Sequence, residues 1–441
     1  MPPETRYART TDGTHVAYQV TGEGPIDILL MRAWHSHLEH EWEEPILAGI
    51  FRRLGSLGRV IRLDRRGTSL SDRFDPSELP TLEARGDDIR AVLDAAGSNR
   101  VVAIGLAHGG ALCSYFAAAY PERTAGLVLY GPVPFMFGLN VPGDIASSRD
   151  EFLRTWGTDE AAQQVADFAA PSRANDPDLV AWIRDEERLA GTAEEGYAQW
   201  ELVVQTNVSG ILPTIHVPTL VVWRAGSHWA PPPLDTLLPH ATLAAVPGGD
   251  HALLAGDWRA PLAEFETFID SLSGAEPELE RVLATVMFTD IVASTERAAR
   301  LGDAAWADLL QRHHAIVRRE LARHRGREID TAGDGFFASF DGPARAIRCA
   351  AAIREAVAEL GLRLRIGLHS GECERVDGGG LRGVAVHLGA RIGAVAAPDE
   401  ILLSSTVRDL VAGSGIAFED AGVKQLKGVE DKWHLYRLRS A

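Results

Sequence analysis

The sequence predicts two successive domains of different class, an α/β domain with a mostly parallel sheet followed by an α+β domain. The length of 441 residues is large for a single hydrophobic core. Short apolar, β-rich runs alternate with amphipathic stretches in two separate series. A polar break containing Pro and Gly divides the two series, which places the domains at residues 1–272 and 282–441 with a linker at residues 273–281.

The composition restricts the class of partner. A formal net charge of −17 disfavours nucleic acids and anionic membranes, whereas nucleotides remain open because metal ions can carry their phosphates. The three cysteines, Cys113, Cys349 and Cys373, have neither metal-ligand spacing nor a disulfide framework, as is typical of a reducing compartment. The N-terminus lacks an apolar signal segment, and no run reaches about eighteen apolar residues. We therefore expect a cytoplasmic protein.

The first domain is predicted to contain a parallel sheet covered by helices. The strands are expected at residues 26–31, 60–63, 101–105, 127–130, 219–223 and 241–246. The main helices are expected at residues 82–96, 111–120 and 261–271. From about residue 135 to residue 210 the pattern is helical and polar, which predicts a helical cap inserted between two strands.

The second domain repeats the alternation on a smaller scale. The strands are expected at residues 283–289 and 363–369, together with a hairpin formed by residues 328–331 and 336–340. The helices are expected at residues 303–324, 343–360 and 384–396.

A glycine-rich turn, Gly105-Leu-Ala107-His-Gly109-Gly110, joins a predicted strand to a helix in the first domain. This order resembles the nucleophile elbow of the α/β-hydrolases. Residues 63–72 and the segment Pro247-Gly-Gly-Asp-His251 resemble the same family, over residues 5–270 in total. The resemblance implies an α/β-hydrolase fold with a helical cap.

Two positions depart from that family. Ala107 stands where the nucleophile belongs and cannot attack a carbonyl, and Ser227 stands where the triad acid belongs. Only His251 remains of the triad, so hydrolysis by the usual mechanism is not expected, and Cys113 and Ser114 are interpreted as packing residues. We assign a remnant pocket to Ala107, His108, Ser227, His251 and Trp34. The domain is then regulatory, either binding a small, largely apolar molecule or serving as a dimerisation platform.

Three histidines, His35, His37 and His40, lie near the expected oxyanion loop. Their spacing fits no standard ligand set, so packing or solvated histidines are favoured over a metal or haem site.

In the second domain an apolar strand stops at Asp290, and a helix opening containing Ser294 and Thr295 follows. A carboxylate beside a helix N-terminus suits a divalent metal carrying phosphates. The alternative is an ordinary strand-to-helix turn with Ser294 as the N-cap. A second aspartate, Asp334, lies in a glycine turn after Gly333, which lets the backbone approach a nucleotide closely. The pair predicts a two-metal phosphoryl displacement.

These residues resemble the class III nucleotidyl cyclases over residues 281–441. The matching segments are Phe288-Thr-Asp290-Ile291, Thr331-Ala-Gly-Asp334, residues 383–391 and Leu426-Lys427-Gly428. The resemblance implies a ferredoxin-like domain with two Mg²⁺ or Mn²⁺ ions on Asp290, Asp334 and the Ile291 carbonyl. It also implies that Arg391 binds the α-phosphate and Lys427 the terminal phosphates.

Three positions depart from the cyclase pattern. His387 replaces the asparagine that orients the ribose, although an imidazole still donates one hydrogen bond. Asp330 stands where adenylate cyclases carry the lysine that reads adenine, and Gly380 stands where its aspartate partner is expected. The carboxylate of Asp330 suits the adenine amino group or the guanine ring N–H and amino group.

The domain order resembles a bacterial group, including mycobacterial members, with a hydrolase-like domain ahead of an adenylate cyclase. This resemblance favours conversion of ATP to 3',5'-cyclic AMP and pyrophosphate in a homodimer, with each site shared between subunits. The alternatives are a guanylate cyclase using GTP, an α/β-hydrolase with a non-standard nucleophile and a regulatory nucleotide-binding domain, or a scaffold with both sites inactive.

Overall fold

The computed structural model describes residues 3–33, 35–139, 149–228, 231–232, 234, 236–272, 281–376, 379–429 and 431–440. The chain divides into two compact units, Met1–Glu278 and Leu279–Ala441. Most of the linker predicted at residues 273–281 lies outside the described residues, as does Trp34. Within the described ranges, no helix is both long enough and apolar enough to span a lipid bilayer.

The described part of the first unit contains an eight-stranded sheet. Its strands are β1 (Arg6–Arg9), β2 (His15–Thr21), β3 (Asp27–Met31), β4 (Arg59–Leu63), β5 (Val101–Leu106), β6 (Thr124–Tyr130), β7 (Thr219–Arg224) and β8 (Ala241–Val246). The spatial order is β1-β2-β4-β3-β5-β6-β7-β8. The β1–β2 and β2–β4 pairs are antiparallel and the other described pairs are parallel, so the mostly parallel sheet is confirmed. The sequence prediction omitted β1 and β2, which are short and carry polar residues.

Eight α-helices in the described residues accompany this sheet. They are α1 (Pro45–Gly55), α2 (Leu82–Ala95), α3 (Gly109–Ala119), α4 (Arg149–Thr155), α5 (Asp159–Ala169), α6 (Pro177–Ala190), α7 (Ala193–Gln205) and α8 (Arg259–Ser271). Helices α4 to α7 lie between β6 and β7, where the sequence predicts the cap. A capping box formed by Thr192 and Glu195 starts α7, because each side chain accepts the other residue's backbone amide.

The second unit also contains an eight-stranded sheet within its described residues. Its strands are β9 (Arg281–Ile291), β10 (Arg327–Ala332), β11 (Gly335–Phe340), β12 (Leu364–Val376), β13 (Gly380–Arg382), β14 (Glu400–Ser404), β15 (Ala417–Gln425) and β16 (Lys432–Ser440). The order is β10-β11-β9-β12-β14-β16-β15, and β13 pairs with the far end of β12. Among these strands only the β12–β14 pair is parallel.

Helices cover both faces of the second sheet. They are α9 (Ser294–Leu301), α10 (Asp303–Arg323), α11 (Pro343–Ala358), α12 (Val384–Ala394) and α13 (Ser405–Leu410). Met287 and Ile291 of β9 pack into a core with α10 and α11. Val286 lies on the other face and packs with Ala385 of α12. Because strand residues alternate between faces, Asp290 lies on the face that α12 covers.

Glycines allow α12 to approach the sheet closely. A Cβ atom on Gly367 of β12 would lie 2.1 Å from the backbone nitrogen of Gly393. A Cβ atom on Gly389 would lie 2.6 Å from the Val286 side chain. The inner face of α12 is thereby pressed against β9 and β12, which fixes the direction of its outer face.

Candidate functional site

Two aspartates meet at the end of β9. Asp290 is the penultimate residue of β9, and Asp334 lies in the turn between β10 and β11. Thr289 pairs with Phe336, so the register carries Asp334 to the last residues of β9. The Ile291 amide donates a hydrogen bond of 3.3 Å to Asp334 Oδ2. Residues 43 positions apart in sequence are therefore adjacent.

The negative charge and the exposure of the end of β9 allow a cation to bind there. Partial burial, together with the negative charge of Asp334, raises the pKa of Asp290, while Arg365 opposes the shift. Arg365 faces Asp290 across the β9–β12 pair, and its Nη1 lies 4.0 Å from Asp290 Oδ2. The Asp290 side chain is 57% exposed, so a metal ion has access to it.

The available donors suit a cation that also binds substrate. In the described part of the chain, no cluster of three or more His, Cys, Asp or Glu side chains could hold a metal by itself. Mg²⁺ is commonly held by one or two carboxylates together with substrate phosphates and water. Two close carboxylates fit that type of site: burial and the charge of Asp334 raise the pKa of Asp290, and the Ile291 amide already orients Asp334.

The start of α9 differs from the prediction that Ser294 is the N-cap of this helix. Ala293 occupies the N-cap position with a left-handed φ of +55°, and no described side chain caps the helix. Ser294 is the first helical residue, so its interpretation as an N-cap is wrong. Ser294 is half-buried and Thr295 is exposed. The first amides of α9, which begins just beyond β9, have no side-chain acceptor among the described residues and can be offered to an anion.

A histidine that sequence reasoning missed supports the Asp334 turn. Nε2 of His314, on α10, lies 3.0 Å from the carbonyl oxygen of Gly333. Gly333 has a φ of +63°, and no heavy atom of the described residues lies within 4 Å of the position that a Cβ atom would take, so packing does little to shape the turn. The neighbouring His313 is fully buried, and burial lowers its pKa to about 4. Two adjacent histidines on an amphipathic helix gave no sign of this contact.

The outer face of α12 carries His387 and Arg391. Both side chains are exposed, and Val384 and Val395 on the same face are 71% and 38% exposed. Neither the His387 side chain nor the Arg391 side chain makes a hydrogen bond or ion pair with the residues the structure describes. Because α12 buries its opposite face on the sheet, Arg391 points away from the sheet that carries Asp290. Within one chain, the structure therefore does not bring Arg391 into contact with Asp290.

The remaining predicted nucleotide-binding residues are exposed. Lys427 lies in the turn after β15. Asp330 lies at a bulge in β10, and its Oδ1 accepts from the Thr331 amide over 2.8 Å. Gly380 opens β13, and Arg327 of β10 donates to the carbonyl of the preceding glycine. The two positions expected to read the base therefore lie on neighbouring segments.

In the first unit the elbow retains its backbone geometry. Ala107 connects β5 to α3 with a φ of +49°, a conformation that costs a non-glycine residue about 1 kcal/mol or more. A Cβ atom on Gly105 would lie 2.5 Å from Gly110 Cα, and one on Gly109 would lie 2.4 Å from the Met31 carbonyl oxygen. The glycines are thus needed for the close turn, although the nucleophile is absent.

The other remnant-pocket residues gather around the elbow. His251 lies against Gly131, whose added Cβ would be 3.0 Å from its ring. Burial, and then the charges of His228 and Arg224, lower the pKa of His251 to about 4. Gly226 donates to the Gly248 carbonyl, which joins the turn carrying Ser227 to the loop carrying His251.

Alternative nucleophiles are poorly placed. Cys113 and Ser114 are fully buried in α3, and burial raises the pKa of the Cys113 thiol to about 12. Asp250, next to His251, is already held by Arg224 at 3.2 Å and by the Ser172 amide at 2.9 Å.

The three histidines near the expected oxyanion loop make separate contacts. His35 Nδ1 lies 3.3 Å from a Glu186 carboxylate oxygen of the cap. His40 stacks on Trp182 with ring centroids 5.3 Å apart. His37 Nδ1 accepts from the His40 amide over 3.2 Å. Each ring is engaged in local packing or hydrogen bonding.

Comparison with known proteins gives two family matches. Residues 32–267, more than half of the chain, match the alpha/beta hydrolase family. Residues 279–440 match the adenylate and guanylate cyclase catalytic domain.

Individual relatives divide in the same way. A putative adenylate cyclase 3 of Rhizobium meliloti is 28% identical over 171 residues, covering 37% of this chain and 29% of that protein. The chain thus spans less than a third of the length of this relative. The bifunctional esterase/perhydrolase DCH of Acinetobacter calcoaceticus is 24% identical over 283 residues, covering 59% of this chain and 95% of that protein. A solved membrane phospholipase A, described as a bacterial virulence factor, has a TM-score of 0.50 at 17% identity, covering 62% of this chain and 88% of its own.

Proposed function

Because this chain belongs to the α/β-hydrolase family and also carries an adenylate and guanylate cyclase catalytic domain, we propose that it converts ATP to 3',5'-cyclic AMP and pyrophosphate. The first domain serves as a ligand-binding regulatory module without hydrolase activity. The observation that carries the proposal is the meeting of Asp290 and Asp334 at the end of β9, with the Ile291 amide holding Asp334.

Asp290, Asp334 and the Ile291 carbonyl would hold two Mg²⁺ or Mn²⁺ ions. When bound, such ions favour ionisation of the attacking hydroxyl and neutralise the leaving phosphates. The protein's own contribution begins with Arg365, which lies 4.0 Å from Asp290 and limits the repulsion between the two carboxylates before substrate arrives. Ser294, Thr295 and the uncapped start of α9 offer donors to phosphate oxygens.

Arg391, His387 and Lys427 act on the nucleotide from the other side. Arg391 binds the α-phosphate, His387 donates to the ribose, and Lys427 binds the terminal phosphates. Their exposure supports this assignment, because none is committed to another partner in the described part of the chain. The Arg391 guanidinium only donates hydrogen bonds, so its role is stabilisation of negative charge in the transition state.

The active form is a homodimer in which each site uses the acidic residues of one subunit and α12 of the other. The outer face of α12 supports this arrangement, since Val384 and Val395 leave apolar surface beside Arg391 and the face points away from its own sheet. A two-fold axis would produce two equivalent sites.

Product analysis tests the reaction. The purified chain is incubated with ATP or GTP and with Mg²⁺ or Mn²⁺, and the product is identified by chromatography. We expect cyclic AMP from ATP. Cyclic GMP as the main product would replace the adenylate assignment by the guanylate one, because the carboxylate of Asp330 suits the guanine ring N–H and amino group as well as the adenine amino group. Absence of any cyclic product under every combination of nucleotide and metal would refute the cyclase proposal.

Mixing two inactive variants tests the shared site. Asp290→Ala and Arg391→Ala chains are each expected to be inactive, whereas an equal mixture should recover about a quarter of the wild-type rate, because half of the dimers carry one complete site of two. A mixture that stays inactive, although both variants fold and form mixed dimers, would exclude the shared site.

The alternative function, ester hydrolysis with a non-standard nucleophile, receives little support. Cys113 and Ser114 are enclosed in the core, and Ala107 occupies the strained elbow position. Hydrolysis of short p-nitrophenyl esters by the wild-type chain, above the rate of a His251→Ala variant, would support that alternative.

A further inference from the structure

The turn that carries Asp334 has few constraints of its own. Ala332 pairs with Gly335 at the end of the β10–β11 hairpin, so Gly333 and Asp334 are the two turn residues. Gly333 has a left-handed φ of +63°, and Asp334 has a glycine on each side, which gives the backbone of the turn more freedom than other residues would. The direction of the Asp334 carboxylate therefore depends on contacts made from outside the hairpin.

Two hydrogen bonds reach the turn from neighbouring elements. On the carboxylate, the Ile291 amide of β9 donates to Oδ2 of Asp334 over 3.3 Å. On the backbone, Nε2 of His314, on α10, lies 3.0 Å from the Gly333 carbonyl oxygen. A carbonyl oxygen only accepts, so Nε2 carries the hydrogen and donates it. This carbonyl belongs to the planar peptide group that joins Gly333 to Asp334, so the bond restricts the orientation of the residue that bears the carboxylate.

The His314 ring is itself held in place. Its centroid lies 5.0 Å from that of Phe336, in an edge-to-face arrangement with an angle of 88° between the rings. Phe336 is 1% exposed and pairs with Thr289, the residue before Asp290 in β9. His314 thus contacts both the scaffold beside Asp290 and the backbone beside Asp334.

The helix that carries His314 is anchored independently of these contacts. Val317 and Leu321 of α10 are buried in the core that also contains Met287 and Ile291 of β9. Because α10 and β9 share this core, His314 is held at a set position relative to that strand.

Arg318, one helical turn after His314, attaches the hairpin at a different place. Its Nε and Nη2 donate to the two carboxylate oxygens of Glu328, on β10, at 2.8 and 2.9 Å. Its guanidinium also lies over the Phe336 ring, 5.7 Å from the centroid. Arg318 therefore shares the aromatic contact and the hairpin with His314, but in the described part of the chain it makes no hydrogen bond to the turn.

We propose that His314 is a positioning residue of the metal site. By donating from Nε2 to the Gly333 carbonyl, it holds the Asp334 carboxylate beside Asp290, where the two can bind a divalent cation together. Removing a group that orients a metal ligand commonly weakens metal binding by about 10- to 100-fold. The inference rests on the metal site of the proposed function, and it adds to that site a residue outside the segments that match the cyclases.

Calorimetric titration of the full chain tests this role. The probes are the Mn²⁺ complex of α,β-methylene ATP, which cannot be cyclised, and the same nucleotide without metal. The difference between the two titrations is the part of the affinity that depends on Mn²⁺, and Asp290→Asn defines its loss. His314→Phe keeps an aromatic ring against Phe336 and removes the donor. It should weaken binding of the Mn²⁺ complex by about tenfold and leave binding of the metal-free nucleotide unchanged.

Two further variants separate the donor from general packing. His314→Gln offers an amide N–H in place of Nε2–H and should restore most of the Mn²⁺-dependent affinity. Arg318→Met removes the ion pair with Glu328 from the same hairpin and should leave that affinity close to the wild-type value. If His314→Phe does not fold, His314→Met takes its place, since methionine also lacks the donor and favours a helix.

Other results would overturn the role of His314. Binding of the Mn²⁺ complex as tight in His314→Phe as in the wild type would show that the donor is not needed. An equal loss in Arg318→Met would assign the effect to a loosened hairpin, and no recovery in His314→Gln would exclude donation from this position. A wild-type chain that binds the nucleotide no better with Mn²⁺ than without it would overturn the proposed metal site together with this role. Failure of the His314 role alone leaves the Mn²⁺-dependent binding of the wild type intact, so the two failures are distinguishable.

Discussion

The two candidate sites differ in what each retains. The first keeps its backbone geometry without its reactive side chains, and the second keeps its acidic side chains on a lightly packed turn. In the first domain, the backbone of the elbow is retained down to the strained Ala107 and the close-packed Gly105, but its reactive side chains are gone. In the second domain, the turn holding Asp334 is loosely packed, yet the acidic side chains are present and adjacent. A costly backbone conformation therefore does not by itself indicate surviving chemistry, and a lightly supported turn does not exclude it.

The largest effect should come from the acidic pair. If the second domain alone carries chemistry, Asp290→Asn should lower the rate of cyclic nucleotide formation by about 10³-fold, because a principal metal ligand and charge is lost. Thermal stability should be unchanged or slightly higher, since the burial and the repulsion from Asp334 that raise the pKa of Asp290 no longer act on a charge. The rate is measured by chromatography of the product.

A matched control for that variant is Asp308→Asn, at an exposed aspartate on α10 that pairs with Arg312. Its activity should stay close to that of the wild type. An Asp290→Asn chain that kept more than about a tenth of the wild-type rate would remove Asp290 from the site.

Lowering the pH should reduce the stability that depends on a buried histidine in each domain, over the same pH range. The pKa of His251 in the first domain and of His369 in the second is about 4, with burial as the first cause. Between pH 6.5 and about 4 these histidines bind protons in the unfolded chain and not in the folded chain, so the stability that depends on them is full above pH 6.5 and falls as the pH falls. The loss approaches roughly 3 kcal/mol per histidine. Urea unfolding at a series of pH values measures it.

The variant His369→Phe should weaken the pH dependence of the second domain, in which the buried His313 also titrates over this range, and leave that of the first domain intact. His369 contacts Ser404 over 2.8 Å, so some stability is lost at every pH, which is distinguishable from a change of slope. An unchanged slope in the variant would show that His369 does not carry the effect.

A smaller effect is expected from rebuilding the lost triad. The double variant Ala107→Ser and Ser227→Asp returns a hydroxyl to the elbow and a carboxylate beside the His251 loop. Hydrolysis of p-nitrophenyl acetate should rise about tenfold above wild type, because geometry is retained while substrate fit is not selected. The matched control carries Ser227→Asn instead, which cannot stabilise an imidazolium. Equal rates in the two double variants would indicate that the elbow no longer aims at His251.

The parts of the fold that the sequence predicted are those with strong local patterns. The apolar runs of β3, β5 and β6 and the glycines of the elbow identified the first sheet, and the two aspartate motifs indicated the candidate site in the second domain. Asp290 and Asp334 were expected to be close because neighbouring strands end there, and the Ile291–Asp334 hydrogen bond shows that they are.

The missed features depend on contacts between distant residues or on weak patterns. Strands β15 and β16 bury few side chains, so their sequences lack clear alternation. The contact of Arg85 with Thr206 joins residues 121 positions apart, and that of His314 with Gly333 joins a helix to a turn. The spacing of residues along the chain carries no signal for such pairs.

The hydrogen bond between His314 and the Gly333 carbonyl links α10 to the turn that carries Asp334. The ring of His314 also packs against Phe336, just beyond the turn. The helix is 21 residues long, or about 30 Å, and His314 lies near its middle. We expect a displacement of α10 to move the Gly333 carbonyl and, with it, the turn that carries Asp334.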